Sequence, residues 1–251
     1  HTAYLTAFLK DLEKQGIACK MLLNTLQVTH SEKELKFVIE DTGSDLKRER
    51  QNNVIPFDYL VNSRQKLCGM ILSQLKMNQK IFARKCEVKK VEKADAEIFF
   101  NQHHLLGATG SAYNLGLFYE GELVALASFS KGRKMNRLAA HERSFELIRF
   151  CNKTGLTVTG GLSRLLKSFF ELKAAGDIMT YVDKQFSDGQ SFMKAGFTLH
   201  SEKEAQQFLI HRKTFERKLY KGEKYDAVKF YLSENAGSIK MVYQAKKKSE
   251  L

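Results

Sequence analysis

The sequence predicts a mixed α/β (α+β) fold, a central sheet covered by helices, with a small α/β appendage at the N-terminal end. Two strand-like runs, Tyr113–Tyr119 and Leu123–Phe129, are joined by Glu120-Gly121, a pair suited to a two-residue hairpin turn. Further on, strands and helices alternate. Phe145–Phe150 reads as a strand, Gly160-Gly161 opens a helix over Leu162–Leu172, and Ile178–Val182 reads as a strand again. Hydrophobic residues make up 43% of the 251, enough for a buried core. Hairpin strands mixed with crossover helices make a sheet covered by helices.

Taken in order, Tyr4, Leu5, Phe8, Leu9 and Leu12 recur at helical spacing, and Gly16 stops that helix. Ile17–Leu23 and Leu35–Ile39 read as short strands. Residues 41–53 are polar, lack an apolar period and read as a loop or linker. A boundary near that linker divides an appendage (1–53) from a main domain (54–245) and a basic tail (246–251). Pro56, the only proline, opens a helical segment over Phe57–Met77. Ile81–Val88 alternates and reads as one strand, followed by a helix over Lys93–His104. The strand Ile178–Val182 ends at Asp183. Gly189–Ala195 is a short helix with Gly196 as its C-terminal cap, and Phe208–Phe215 and Ile239–Gln244 are the last strands.

The net charge of +13 favours a polyanionic partner. The basic residues cluster. Arg84, Lys85, Lys89, Lys90 and Lys93 fall together, and Lys131, Arg133, Lys134 and Arg137 share one loop. Arg212, Lys213, Arg217, Lys218, Lys221 and Lys224 are interleaved with Phe215, Tyr220 and Tyr225. Cations that neutralise phosphates beside aromatics that stack on bases suit nucleic acid, with Lys184 a further phosphate contact. The plain alternative is a solubilising surface. Apolar runs are far shorter than the roughly 20 residues that span a bilayer, so no membrane is expected. Cys19, Cys68, Cys86 and Cys151 form no paired motif and read as reduced thiols of a cytoplasmic protein, three of them in apolar or strand-like contexts that suit burial; no metal site is expected. The chain opens on His1, so either an upstream segment is expected to have been trimmed or His1-Thr2 is a remnant of a fused sequence.

Several stretches together resemble a known family. They are Ile81–Val88, Leu115–Phe118, Glu146–Lys153, Gly160–Leu165, Tyr181–Gly189 and Ala236–Lys240. Over about residues 64–245 the chain resembles the GCN5-related N-acetyltransferase (GNAT) fold, and within it a phage-borne family that includes the Mom adenine-modification proteins. The same module occurs fused to nuclease-like domains in homing-endonuclease-type proteins. The resemblance implies a DNA-modifying transferase of a bacterial cell that extends the exocyclic amine of adenine, with double-stranded DNA as partner. It also implies a donor of the acyl-CoA kind. Two positions depart from GNAT proteins: Thr157–Ser163 keeps glycines without the usual pyrophosphate-loop pattern, and Phe192 stands where a tyrosine is common.

The site residues follow from both readings. Asp183 ends a central strand, where open α/β sheets place their sites, and would handle the amine proton. Its plain reading is a turn or capping residue. Arg149 lies in an apolar strand and must be functional or paired, with Glu146 or Asp183 as candidate partners. His104 matches a histidine of the resembling proteins; a histidine near a helix C-terminus is also stabilised by the dipole. Gly160 and Gly161 open a helix whose first N–H groups suit a phosphate, and Ser163 and Asn152 flank it as further donor contacts or simple caps. The Tyr181 ring is expected in the core. Glu34-Leu35-Lys36 with Asp41 has the residue types of an Mg²⁺ nuclease, but the segment is too short for that core; a docking or homodimerisation appendage fits better. Two alternatives stay open: an acyl-CoA-dependent N-acetyltransferase acting on a protein or small amine, and a non-catalytic DNA-binding module.

Overall fold

A computed structural model describes residues 2–40, 53–173 and 175–244. The chain forms two compact units. The first holds His1–Met77, Asp183–Asp188 and Lys203–Ser238; the second holds Asn78–Val182, Gly189–Glu202 and Ile239–Leu251. The division therefore falls at Met77/Asn78 rather than near residue 53, and the first unit draws in two later segments that the sequence assigned to the main domain. The linker expected over 41–53 lies, but for Asn53, outside the described residues.

In the first unit, helix α1 (Thr2–Glu13) buries Phe8 and Leu12. Strands β1 (Ala18–Leu22), β2 (Thr25–His30) and β3 (Lys33–Ile39) form an antiparallel meander, to which β4 (Val54–Ile55) adds in parallel. The expected helix over Phe57–Met77 is two helices, α2 (Phe57–Asn62) and α3 (Arg64–Gln74), because Ser63 adopts φ −139° between them.

The second unit begins with β5 (Gln79–Phe82) and β6 (Glu87–Lys90). The sequence reads Ile81–Val88 as one strand, but a 3₁₀ turn over Ala83–Lys85 splits it. Ile81, Ala83 and Cys86 are all buried, so the inward spacing changes from two to three and the alternation breaks. Then follow α4 (Lys93–His103), β7 (Tyr113–Tyr119), β8 (Glu122–Phe129), β9 (Arg143–Asn152), β10 (Leu156–Thr159), α5 (Gly161–Leu172), β11 (Ala175–Asp183), α6 (Gln190–Lys194) and β12 (Thr198–Lys203). The chain leaves for the first unit as β13 (Gln207–His211), β14 (Arg217–Leu219) and β15 (Phe230–Glu234), a three-stranded sheet. It returns as β16 (Ser238–Tyr243).

Seven strands form the central sheet in the order β12-β16-β11-β9-β8-β7-β6. The β7–β8 turn uses Glu120 (φ 51°) and Gly121 (φ 82°), the hairpin expected from the sequence. One face packs under α5 through Phe129, Phe145, Leu147, Ile178 and Phe169. The other packs under α4 through Leu126, Phe99 and Phe100. The Phe129 and Phe169 rings stack with centroids 3.9 Å apart, which fixes α5 on its face. The fold is thus a mixed α/β sheet with a helix on each face. No helix of the described residues is long and apolar enough to cross a membrane.

Candidate functional site

In the central sheet β9 and β11 pair in parallel, and this pair is not closed along its length. Register runs from Ala175↔Arg143 to Met179↔Glu146 and stops there. At the crotch the Thr180 hydroxyl donates to the Leu147 carbonyl at 2.9 Å, taking the place of a ladder bond. Beyond it β9 continues to Asn152, held by β8 through pairs as far as Ala125↔Asn152. The two strands therefore fork, and their diverging halves carry backbone groups able to pair with an extended ligand.

On the α5 face, one row runs across the sheet through Leu117, Ala125 and Asn152. A Cβ on Gly161 would come within 3.3 Å of Leu117 Cδ1 and 3.2 Å of Val158 Cβ. The opening of α5 thus lies about 10 Å, two strand spacings, from Asn152. Asn152 Oδ1 is buried without a hydrogen-bond partner among the described residues, an acceptor suited to an N–H-bearing ligand. Gly160 holds φ 77°, which a side chain rarely adopts, and a Cβ on Gly161 would fit only tightly against Val158 and Leu117. Ser163 lies in the first turn of α5, and Arg164 donates to Ala83 O at 2.8 Å. β10 pairs with β5, ending at Thr159↔Phe82, so the turn carrying Arg84 and Lys85 runs beside Gly160. Both cations are exposed. They stand beside the glycine-opened helix, next to the positive end of its dipole. Gly160, Gly161, Ser163 and Asn152, with Arg84 and Lys85 added, therefore fit a phosphate-bearing donor with an amide arm.

On the α4 face the sheet changes character. Strand alternation puts Ser144, Glu146, Asp177 and Met179 opposite to Phe145 and Ile178, which lie under α5. Glu146 sits at the last paired position before the fork, beside Met179. Tyr181, expected in the core, is 42% exposed although β11 is a central strand. Sequence reasoning missed both as site residues. The signal was there: Glu146 interrupts the apolar run of β9 three residues before Arg149. Arg149 donates to Gly107 O at 3.3 Å and Ile148 O at 3.0 Å, so it ties the loop after α4 to β9. That loop walls a cavity of about 260 Å³ lined by Lys93, Glu97, Phe100, Ala108, Thr109 and Ser111.

His104 caps α4, its Nδ1 accepting the Leu106 N–H at 3.2 Å. Its neighbour His103 contacts Thr154 Oγ1 at 3.0 Å, and burial with the nearby Lys153 lowers its pKa. Asp183 belongs to the first unit. Its Oδ1 accepts the Gln185 N–H at 2.8 Å, the turn contact of its plain reading. Burial raises its pKa, against the Gln185 bond and the field of Arg217. The second unit's own carboxylate at the fork is Glu146.

The basic residues divide between the units. Arg84, Lys85, Lys131, Arg133 and Lys134 are in the second, Lys184, Arg212 and Lys213 in the first. Arg217 is not a surface cation. It grips buried Asp58 through two 2.8 Å hydrogen bonds, between the Tyr59 and Phe208 rings. Phe215 is buried against Phe57, so neither serves as a base-stacking platform. Arg212 stands over the Tyr231 ring and donates to Ala227 O. Glu34 accepts from Gln27 Nε2 and pairs with Lys36, while Asp41 lies outside the described residues.

No protein-family model and no curated protein sequence matches this chain. Solved structures are similar to it. An acetyltransferase of Bacillus subtilis in complex with CoA matches at TM-score 0.41 and 12% identity, over 64% of this chain and 100% of its own. A GNAT family acetyltransferase of Elizabethkingia anophelis with acetyl-CoA bound matches at 0.39 and 12%, over 64% and 99%. An acetyltransferase of the GNAT family from Streptococcus pneumoniae matches at 0.37 and 13%, over 64% and 99%.

Proposed function

We propose that the second unit is an N-acyltransferase that takes an acyl group from a thioester of the acyl-CoA kind and passes it to an amine. The observation that carries this reading is the fork between β9 and β11. An extended amide-bearing arm laid between the diverging strands meets their backbone groups and the orphaned Asn152 Oδ1. Its phosphates then reach the opening of α5 with Arg84 and Lys85.

The acceptor approaches from the α4 face. Its nitrogen forms the new bond to the acyl carbon as the carbon–sulfur bond breaks. Glu146 takes the proton that the nitrogen loses, and the departing sulfur needs one in return. Tyr181, the exposed phenol on the diverging half of β11, supplies it. Arg149 holds the loop after α4 against β9 through Gly107.

The acceptor we infer is an amine borne on nucleic acid, the exocyclic amine of adenine among them. Ser130 exchanges hydrogen bonds with the Glu146 backbone, and the exposed Lys131, Arg133 and Lys134 follow it directly. That cationic rim repels polyamines and lysine-rich peptides and attracts phosphate.

The test is transfer of labelled acetyl groups from acetyl-CoA to duplex DNA, a basic peptide and a small amine, with mass spectrometry of the products. Wild-type protein is expected to label DNA. Glu146→Gln should lose about 10²–10⁴-fold in turnover while keeping its affinity for CoA. A Glu146→Gln protein that turns over like wild type sinks the assignment. Labelling of the peptide alone moves the acceptor to protein.

A further inference from the structure

The loop between β8 and β9 carries no acidic residue from Lys131 to His141, and its cations face solvent. Yet it is pinned at successive points. Ser130 Oγ accepts the Glu146 N–H at 2.9 Å, and Arg133 exchanges two 2.9 Å backbone bonds with Ser144. Gly132 lies so close to Phe145 that a Cβ would meet its ring at 2.8 Å, and Gly176 admits Leu138 equally tightly. The last pin is ionic. Arg137, 49% exposed, reaches from the loop to Asp177, whose side chain is fully buried at the start of β11. The other oxygen of that carboxylate, Oδ1, has no hydrogen-bond partner among the described residues.

A carboxylate buried with one oxygen unsatisfied is costly, and hydrophobic replacements of buried ion pairs are often no less stable. No step at the fork uses Asp177. What it does is fix the loop. We propose that Asp177 is a positioning residue that holds the β8–β9 loop as a preorganised phosphate-docking surface, and that the partner docking there is a nucleic-acid backbone. This rests on the acyltransferase reading for its acceptor class. Lys131, Arg133 and Lys134 place three cations in four positions, and a rigid backbone spares the cost of ordering them on binding. Basic peptides and polyamines are excluded by charge.

The experiment measures binding of the full chain to a duplex of about 20 base pairs from about 50 to 200 mM salt. The Lys131→Ala/Arg133→Ala/Lys134→Ala protein should lose about two to three units of the log–log salt slope. Asp177→Leu keeps all three cations and removes a negative charge, so simple electrostatics predicts equal or tighter binding. The latch predicts the opposite: about tenfold weaker binding, from the ordering cost returned to the loop. Faster amide exchange over 131–137 should accompany it. If Asp177→Leu fails to fold, Arg137→Met substitutes. Its slope should fall by no more than about one unit while affinity falls further than one lost contact allows. Asp177→Leu or Arg137→Met binding as well as simple electrostatics predicts overturns the latch. An unchanged triple variant overturns the docking surface. Wild type that ignores DNA overturns the partner as well, while CoA binding, measured separately, reports on the acyltransferase reading.

Discussion

Replacing Arg217 with methionine should unfold the first unit at markedly lower urea, and the size of the effect can be worked from its surroundings. The guanidinium is 15% exposed and Asp58 is 3% exposed, joined by two hydrogen bonds of 2.8 Å. Burial works against the arginine's charge, but the Asp58 hydrogen bonds and field, with Tyr59 and Glu40, hold it protonated beyond its ordinary range. Removing it strands the Asp58 carboxylate inside the protein, a loss of about 3–5 kcal/mol. The rings of Tyr59 and Phe208, 4.9 and 4.7 Å from the guanidinium carbon, add to what is lost. Against a total stability of about 5–15 kcal/mol this is a large fraction. Urea unfolding of Arg217→Met, Asp58→Leu and the double variant forms a cycle. The double variant should cost well below the sum of the singles, because neither charge is then stranded. Single losses under about 1 kcal/mol, or strict additivity, would refute the reasoning.

Three further outcomes are expected. Asp183→Asn should keep the Gln185 turn contact while removing a carboxyl whose pKa is raised by burial. Such a group contributes stability that is fully present below its unfolded value near 3.8 and is lost as pH rises through the folded value. The variant should therefore lack that loss above pH 3.8 in unfolding curves; a wild-type curve identical to the variant's would contradict it. Gly160→Ala should lower stability by about 1–2 kcal/mol, since an alanine must hold φ 77° there, and should weaken CoA binding; a neutral substitution in both assays argues against the α5 opening as part of the site. The thiols of Cys68 and Cys19 are pushed up by burial to about 12 and about 11, so neither should react with a disulfide reagent near pH 8 unless the protein unfolds.

Much of the central sheet is visible in the sequence because its signals are local. Glu120-Gly121 demands a hairpin, Gly160-Gly161 opens α5, and the apolar run of β9 marks a buried strand. Ile81–Val88 misleads because Cys86 takes an inward position that strict alternation would give to its neighbours. β2 is passed over although Leu26 and Val28 alternate, since polar residues flank them. The division into units depends on partners far apart in sequence. Arg217 looks like a surface cation in a basic run, and only its bond to Asp58, 159 residues away, shows otherwise. Glu146 becomes a candidate only once β11 is seen to part from β9 beside it.

The most direct test of the account is calorimetry of CoA binding to the full chain, repeated with S-acetylpantetheine and with Arg84→Ala/Lys85→Ala. The account predicts saturable CoA binding that weakens as salt rises. It also predicts that the double substitution lowers affinity for CoA but leaves S-acetylpantetheine, which has no phosphates, unaffected. No binding of CoA at any salt would contradict it.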